Sequence, residues 1–218
     1  MKILFMSLSN YHTIYVHGLY SDLLRQFIEH GNDVYVVAPF ERNSDEKERV
    51  VCENGATIVK LKIWNMQKVN IIEKGISMLT IESIFIKGIK TYFSDIKFNL
   101  VLYTTPPITL LKVVEFVKKR DGATTYLLLK DIFPQNAVDI GLMSKKGFKG
   151  ILYKYFRRQE KKLYAISDYI GCMSEANVKY VIEHNPEIDS KKIEICPNTM
   201  DPIDMSCIKE QKVPPTIL

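Results

Sequence analysis

Tyr126-Leu-Leu-Leu-Lys-Asp-Ile-Phe-Pro-Gln-Asn-Ala-Val-Asp-Ile-Gly141 opens as a short apolar run and then changes character. Tyr126–Leu129, bounded by Gly122 upstream and Pro134 downstream, reads as a strand buried on both faces, the kind found in parallel sheets. Lys130 and Asp131 stand where such a strand ends. Pro134 disfavours helical geometry at Phe133, which places Asp131 on a loop. Ligands of open α/β sheets bind outside the carboxyl ends of the strands, so Asp131, with Lys130 beside it, is a candidate site residue. The competing reading of the same spacing is a loop aspartate that caps the next turn.

On either side of this stretch the chain alternates strand and helix. Lys2–Leu8 is β-branched and aromatic, a first strand. Val16, Leu19, Tyr20, Leu23, Leu24, Phe27 and Ile28 then form one apolar stripe of a helix, with Gly31 at its C-terminal cap. Asp33–Ala38 reads as a second strand that Pro39 ends, and a βαβ unit of this length requires a parallel pair with a right-handed crossover. Phe40–Gly55 is charged and loop-like, and Ala56–Ile63 is a third strand. Val69–Phe93 is a greasy helical region, with Gly75 and Gly88 as weak points, read as a core helix in preference to a membrane or partner surface. Leu100–Thr104 is a fourth strand, and Pro106-Pro107 turns the chain into a helix ending near Lys119. After the Tyr126 strand come a helix Gly147–Ile166, a strand Asp168–Met173, a helix Glu175–His184 and a strand Ile193–Cys196. About seven strands alternating with helices predict an α/β fold, a Rossmann-like doubly wound parallel sheet.

Composition narrows the function classes. The 218 residues suffice for one large or two small domains with a real core, and the net charge of +5 is too diffuse for a dedicated nucleic-acid binder. Cys52, Cys172, Cys196 and Cys207 form no CxxC pair and no zinc spacing, and read as reduced thiols of a cytoplasmic protein. Lys2 is followed only by Ile3–Met6 before Ser7, too short for a signal-peptide core. No stretch reaches the roughly 18 uninterrupted apolar residues of a membrane span.

Other candidates for chemistry sit near strand ends. Ser174 follows the Tyr169–Met173 run and precedes a helix, where it either caps that helix or faces a phosphate-attracting terminus. Asn198 follows the last strand, and Thr104 and Thr105 end the fourth. His12 and His17 lie at the start of the first helix, as polar surface or as partners for a phosphate or sugar hydroxyl. No P-loop and no GxGxxG occur, so a standard dinucleotide site is not expected. Lys154, Arg157, Arg158, Lys161 and Lys162 form one basic face, with Phe148, Ile151, Leu152, Tyr155 and Phe156 assigned to the other side. That stripe is either a solvated outer face or a surface for anionic lipid.

Asp131-Ile-Phe-Pro-Gln-Asn-Ala-Val-Asp-Ile-Gly, the preceding Thr-Thr-Pro-Pro-Ile and the later Asp168-Tyr-Ile-Gly-Cys-Met-Ser-Glu-Ala-Asn together resemble bacterial glycosyltransferase family 4. The likeness is to members that build capsule, O-antigen or exopolysaccharide units. Gly31-Asn32-Asp33-Val34 resembles that family's Gly-His-x-Val turn, with Asn32 in place of His, and Pro197-Asn198-Thr199-Met200-Asp201 resembles its Pro-Asn-Gly-x-Asp, with Thr199 in place of Gly. The glycine loop after the first strand is missing. The resemblance implies a GT-B architecture of two Rossmann-like domains around a cleft, of which residues 1–201 are the first and 202–218 a linker and the opening of the second. It implies retaining transfer of a sugar from a nucleotide sugar, commonly a UDP-sugar, without a metal. The donor would be bound mainly by the second domain, and the acceptor would be a lipid-linked glycan. On this reading no further cofactor is needed, and the protein is cytoplasmic, peripheral at the inner face of the plasma membrane. Asp131 stands where the family places a polar residue against the transferred sugar, and Thr105, Lys130, Ser174 and Asn198 line the same cleft. The chain alone is then expected to be inactive. The rival readings are a non-catalytic module that anchors a separate catalytic subunit at the membrane, and half of a sugar-nucleotide epimerase.

Overall fold

The computed structural model describes residues 1–9, 11, 13–65, 71–105 and 109–202, without the side chains of 71–79 and 148–149. Its strands are β1 (Lys2–Met6), β2 (Asp33–Glu41), β3 (Arg49–Glu53), β4 (Ala56–Ile63), β5 (Leu100–Thr105), β6 (Thr124–Leu129), β7 (Tyr169–Cys172) and β8 (Ile193–Ile195). Its helices are α1 (Leu19–Glu29), α2 (Ile71–Tyr92), α3 (Leu111–Asp121), α4 (Gln135–Asp139), α5 (Gly147–Ile166) and α6 (Glu175–His184). The strands form one sheet in the order β3-β4-β2-β1-β5-β6-β7-β8. Every neighbouring pair is parallel except β3 with β4. The doubly wound sheet is therefore borne out, with eight strands in place of seven.

The eighth strand is β3, inside the stretch expected to be a charged loop. Asn54 and Gly55 both have positive φ, 24° and 84°, and form the two-residue turn that joins β3 to β4 with Glu53 opposite Ala56. Asn-Gly is the strongest short hairpin signal, and only it marks this strand, since Arg49, Cys52 and Glu53 interrupt the apolar pattern. β2 likewise runs through Pro39 to Glu41. β1 stops at Met6 opposite Val37, so β2 has a free edge from Ala38 onward, where proline is tolerated. α1 begins only at Leu19, which leaves Val16 exposed in the preceding loop. α3 begins at Leu111, and Pro106 and Pro107 lie outside the described residues.

Alternation along the strands sorts the core into two faces. Leu4, Met6, Tyr103 and Leu127 point to the face covered by α2, α3, α5 and α6, with Phe85, Val114, Leu163 and Val181 among the helical partners. Ile3, Phe5, Val36 and Leu128 point to the other face, where α1 packs through Leu24. Each such side chain, fully buried, contributes ~1.5–3 kcal/mol. The greasy helix is thus a core helix: Ile81, Phe85 and Ile89 are buried in α2. Gly88 has a packing reason, because a Cβ there would lie 2.4 Å from Leu61 Cδ1 in β4. No helix among the described residues is long and apolar enough to cross a membrane. Cys172 is buried, Cys196 half-buried and Cys52 exposed, all as free thiols, and Cys207 lies outside the described residues.

Candidate functional site

The strand order reverses between β1 and β5, and the loops at the carboxyl ends of β1, β5, β6, β7 and β8 meet along one rim. β5 ends in Thr104 and Thr105, both buried. Thr104 Oγ1 donates to Ser7 Oγ at 3.4 Å, and Thr105 Oγ1 approaches the Asp131 carbonyl at 3.5 Å. Thr105 therefore ties the loop after β6 to the end of β5.

Beyond β6 the chain leaves the sheet at Lys130 and turns through Phe133-Pro134 into the single turn of α4. A cleft of about 340 Å³ opens there between α4 and the first turn of α6, lined by Lys130, Asp131, Gln135, Asn136, Asp139, Asn177 and Tyr180 among others. Asp131, half-buried, accepts a short hydrogen bond from Asn136 Nδ2. Gln135 Nε2 donates to Asp139 at 2.6 Å, and its Oε1 lies 3.5 Å from the Tyr153 hydroxyl. Burial holds the Lys130 amine below the usual lysine range, with Cys196 opposing the shift. Lys130 also borders a second, narrower hollow with Tyr20, Leu23, Leu128, Cys196 and Thr199, so its aliphatic stem separates two cavities.

The other expected residues fall in different places. Ser174 is the N-cap of α6: its Oγ accepts from Asn177 N–H at 3.3 Å and donates to Asn177 Oδ1 at 3.2 Å. Both capacities of the hydroxyl are spent on the helix end, and its effect on the cleft is to hold Asn177 in the wall. Asn198 is exposed on the segment after β8 and is not in the wall of the Asp131 cleft. His17 is not in that wall either; it is half-exposed, with Nδ1 3.8 Å from Asp22 Oδ1. His12 lies outside the described residues. On α5, Lys154, Arg158, Lys161 and Lys162 are exposed, and Lys161 pairs with Glu187 at 2.8 Å. Arg157 is turned inward, bonded to Glu160 at 2.6 Å, the His184 carbonyl at 2.8 Å and Asn185 Oδ1 at 2.7 Å. The apolar partition of α5 differs from expectation. Ile151, Leu152 and Tyr155 are exposed, while Phe156 packs on Phe133 and the helix buries Leu163 and Tyr164.

Gln135, Asn136, Asn177 and Tyr180 are the wall residues that strand-end reasoning did not single out. Gln135, Asn136 and Asn177 sit on the first turns of helices that follow strands, and that position was the available signal; Tyr180 lies one turn further along α6. Chemically, the cleft joins two carboxylates, three carboxamides, a phenol and one ammonium. Planar carboxylates and amides bind adjacent hydroxyls in pairs, which suits a polyol, and the open polar wall does not suit an apolar ligand. No group of His, Cys, Asp or Glu among the described residues is arranged to hold a metal.

No protein-family model matches the chain, and no curated protein matches it by sequence. Several solved structures share its fold. Sucrose-phosphate synthase from Thermosynechococcus elongatus superposes with a TM-score of 0.61 at 10% identity, over 90% of this chain and 47% of that one. A UDP-forming α,α-trehalose-phosphate synthase from Burkholderia xenovorans gives 0.55 at 10%, over 90% and 47%. UDP-GlcNAc 2-epimerase from Neisseria meningitidis, bound to UDP-GlcNAc, gives 0.54 at 12%, over 91% and 47%. The fold is that of one Rossmann-like half of the GT-B architecture. The chain spans less than half the length of each of these proteins.

Proposed function

We propose that this chain is the acceptor-side half of a glycosyltransferase that moves a sugar from a UDP-sugar to a growing, lipid-linked bacterial polysaccharide with retention of configuration. The observation that carries the reading is the polar cleft at the end of β6, where Asp131 is oriented by Asn136 beside Lys130. Asp131 orients the attacking hydroxyl or accepts its proton, and the carboxamides of Gln135 and Asn177 hold the neighbouring hydroxyls. Lys130 supplies positive charge toward the leaving phosphate. Binding of the nucleotide falls to a second domain, and we read residues 202–218 as a linker toward it and its opening. The similarity in fold to proteins that act on UDP-sugars supports the donor class, and the resemblance of the Asp131 and Asp168 motifs supports the polysaccharide.

The test is transfer by a protein that carries the second domain. Asp131→Asn should lower turnover by roughly tenfold or more, the scale of a lost acid–base or orienting group, with little change in melting temperature. Residues 1–218 alone should give no transfer and weak or no UDP binding. Micromolar UDP-sugar binding by the isolated chain would overturn the division of labour. A sharp fall in stability of Asp131→Asn with unchanged turnover per folded molecule would make Asp131 a structural cap. Half of a sugar-nucleotide epimerase is the second reading, favoured by the epimerase among the similar structures. Conversion of UDP-sugar without any acceptor would select it.

A further inference from the structure

Residues 144–166 contain eight lysines and arginines against a single glutamate, Glu160, more than the whole chain's surplus of +5. Glu160 is buried and bonded to Arg157 and Tyr164, so it neutralises the inward Arg157 and does not offset the exposed Lys154, Arg158 and Lys162. On the helical period, Ile151, Tyr155, Arg158 and Lys162 fall on one line of α5, with Leu152 and Lys154 flanking it. The opposite side carries buried Glu160, Leu163 and Tyr164. The apolar and basic residues thus share one outward face, apolar toward the N-terminal half and basic toward the C-terminal half. Ile151 is 67% exposed, Leu152 43% and Tyr155 48%, and Ile140 (68%) and Leu142 (73%) follow α4 close by. α4 and α5 are joined by the Tyr153–Gln135 contact and by Phe133 against Phe156, with ring centroids 5.2 Å apart.

We infer that this face is a peripheral membrane-binding surface: Ile140, Leu142, Ile151, Leu152 and Tyr155 enter the headgroup–acyl boundary, and Lys154, Arg158 and Lys162 lie on anionic headgroups. Its occupant is an anionic bilayer because the surplus is basic and flanks the apolar residues along the same face. A buried protein interface depletes lysine, whereas an interfacial helix combines lysine and arginine with exposed large apolar groups. Gln135 and Asp139 of the Asp131 cleft lie on α4, directly before Ile140, so the surface borders that cleft. The inference rests on the transferase reading only in giving that adjacency a purpose, the delivery of a lipid-linked acceptor.

The experiment is vesicle co-sedimentation of the chain, with no sugar present. We expect binding to vesicles of phosphatidylcholine with one-third phosphatidylglycerol, and little to phosphatidylcholine alone. The variant Lys154→Ser/Arg158→Ser/Lys162→Ser should lose on the order of a hundredfold in partition, at roughly fivefold per basic residue near an anionic surface. Ile151→Ser/Leu152→Ser/Tyr155→Ser should lose at least tenfold, and its residual binding should be the more salt-sensitive. Both triple variants change exposed side chains, and unchanged melting confirms the fold. Tyr155→Trp in a Trp64→Phe background should be quenched by lipids brominated near the headgroup. Equal partition of variants and parent overturns the inference. So does a concentration-dependent dimer that the apolar variant abolishes without any vesicle binding, which would assign the face to a second copy. Failure here leaves the Asp131 test untouched, and failure there leaves the vesicle result standing.

Discussion

Asp22 is the residue whose replacement tests the architecture most directly. It is buried at the start of α1, and three donors converge on it: Gly18 N–H at 3.0 Å, Asp201 N–H at 2.9 Å and the Arg25 guanidinium. Arg25 also donates to the Ile14 carbonyl and to Asp201 at 3.3 Å. One carboxylate therefore ties the loop after β1, the first turn of α1 and the segment after β8. Asp22→Asn keeps the shape, removes the charge and turns one acceptor into a donor. Breaking a buried pair costs ~3–5 kcal/mol, but Arg25 keeps Ile14 and Asp201, so a charged hydrogen bond's worth, ~2–3 kcal/mol, is the expected loss. For a domain of this size that lowers the melting temperature by roughly 4–12 °C.

Acid sharpens this test. Burial opposes ionisation of Asp22, but the Gly18 and Asp201 N–H groups and Arg25 outweigh it and hold the carboxyl below its ordinary value. A carboxyl depressed in the folded state contributes stability above its unfolded pKa, and that contribution is lost as pH falls through the folded one. The gap between parent and Asp22→Asn in urea unfolding should be full at neutral pH, begin to narrow near about pH 4 and go on closing as pH falls through the lower folded value. A gap under about 0.5 kcal/mol at neutral pH, within the range of an ordinary surface change, would refute the reasoning. So would a gap that acid leaves unchanged.

Three further substitutions probe other parts of the frame. Gly171→Ala places a Cβ 2.6 Å from Cys196 Cβ and from the Tyr126 hydroxyl, which itself donates to Glu194 at 2.7 Å. It should cost ~1–3 kcal/mol by overpacking and loosen β8 first, read as faster amide exchange at Ile193–Ile195. Gly55→Ala meets both a φ of +84° and Ile28 Cγ2 at 2.8 Å, and should lose ~1–2 kcal/mol in denaturant melts. Asp168→Asn weakens a carboxylate that accepts from Lys118 Nζ at 2.7 Å and Thr125 N–H at 2.9 Å. A loss of ~1–2 kcal/mol that vanishes in acid is expected, because burial resists the charge while Lys118 and Thr125 keep the carboxyl below its ordinary value.

Where local pattern and tertiary need agree, the sequence was readable to the residue. Ala56–Ile63, Gly147–Ile166 and Glu175–His184 coincide with β4, α5 and α6, since each pairs a clear period with a turn or cap at its ends. β3 was hidden because an edge strand carries charge on purpose, and only its Asn54-Gly55 turn betrays it. The end of β2 was misplaced because proline is read as a stop, and only the strand register shows that β1 has already ended where Pro39 continues alongside β4. Gly88 looked like a weakness and is a contact, visible only once β4 lies beneath α2. At the cleft, Asp131 and Lys130 were legible from the end of β6. Gln135, Asn136, Asn177 and Tyr180 were not, because nothing local says that α4 and α6 face each other across that strand end. The amphipathicity of α5 misled for a related reason. A period assigns residues to a face, but the neighbours decide which face is inside, and here Ile151, Leu152 and Tyr155 share the outer one with the basic residues.

The loop after β1 bears on the proposed division of labour between this chain and a second domain. In dinucleotide-binding sheets that loop is glycine-rich, so that free backbone N–H groups approach a pyrophosphate. Among the described residues, three donors of the loop are taken by carboxylates. Glu53 Oε2 accepts from Ile14 N–H at 3.0 Å and from Thr13 Oγ1 at 2.8 Å, and Asp22 takes the Gly18 N–H. An incoming phosphate would have to displace two fixed negative groups from the donors it needs, and would meet their field on the way. The same two acids hold the described part of the loop in place, since one anchors it to the β3 hairpin and the other to α1. On the proposed reading, recognition falls to the rim further along the sheet, where Lys130 brings a positive charge and Asp131, Gln135 and Asn177 bring groups matched to hydroxyls. Glu53→Gln should therefore unsettle the loop and weaken its tie to β3 without creating UDP affinity. If calorimetry on Glu53→Gln showed tight UDP binding, the acids would be gates over a latent phosphate site, and the assignment of this half to the acceptor would fall.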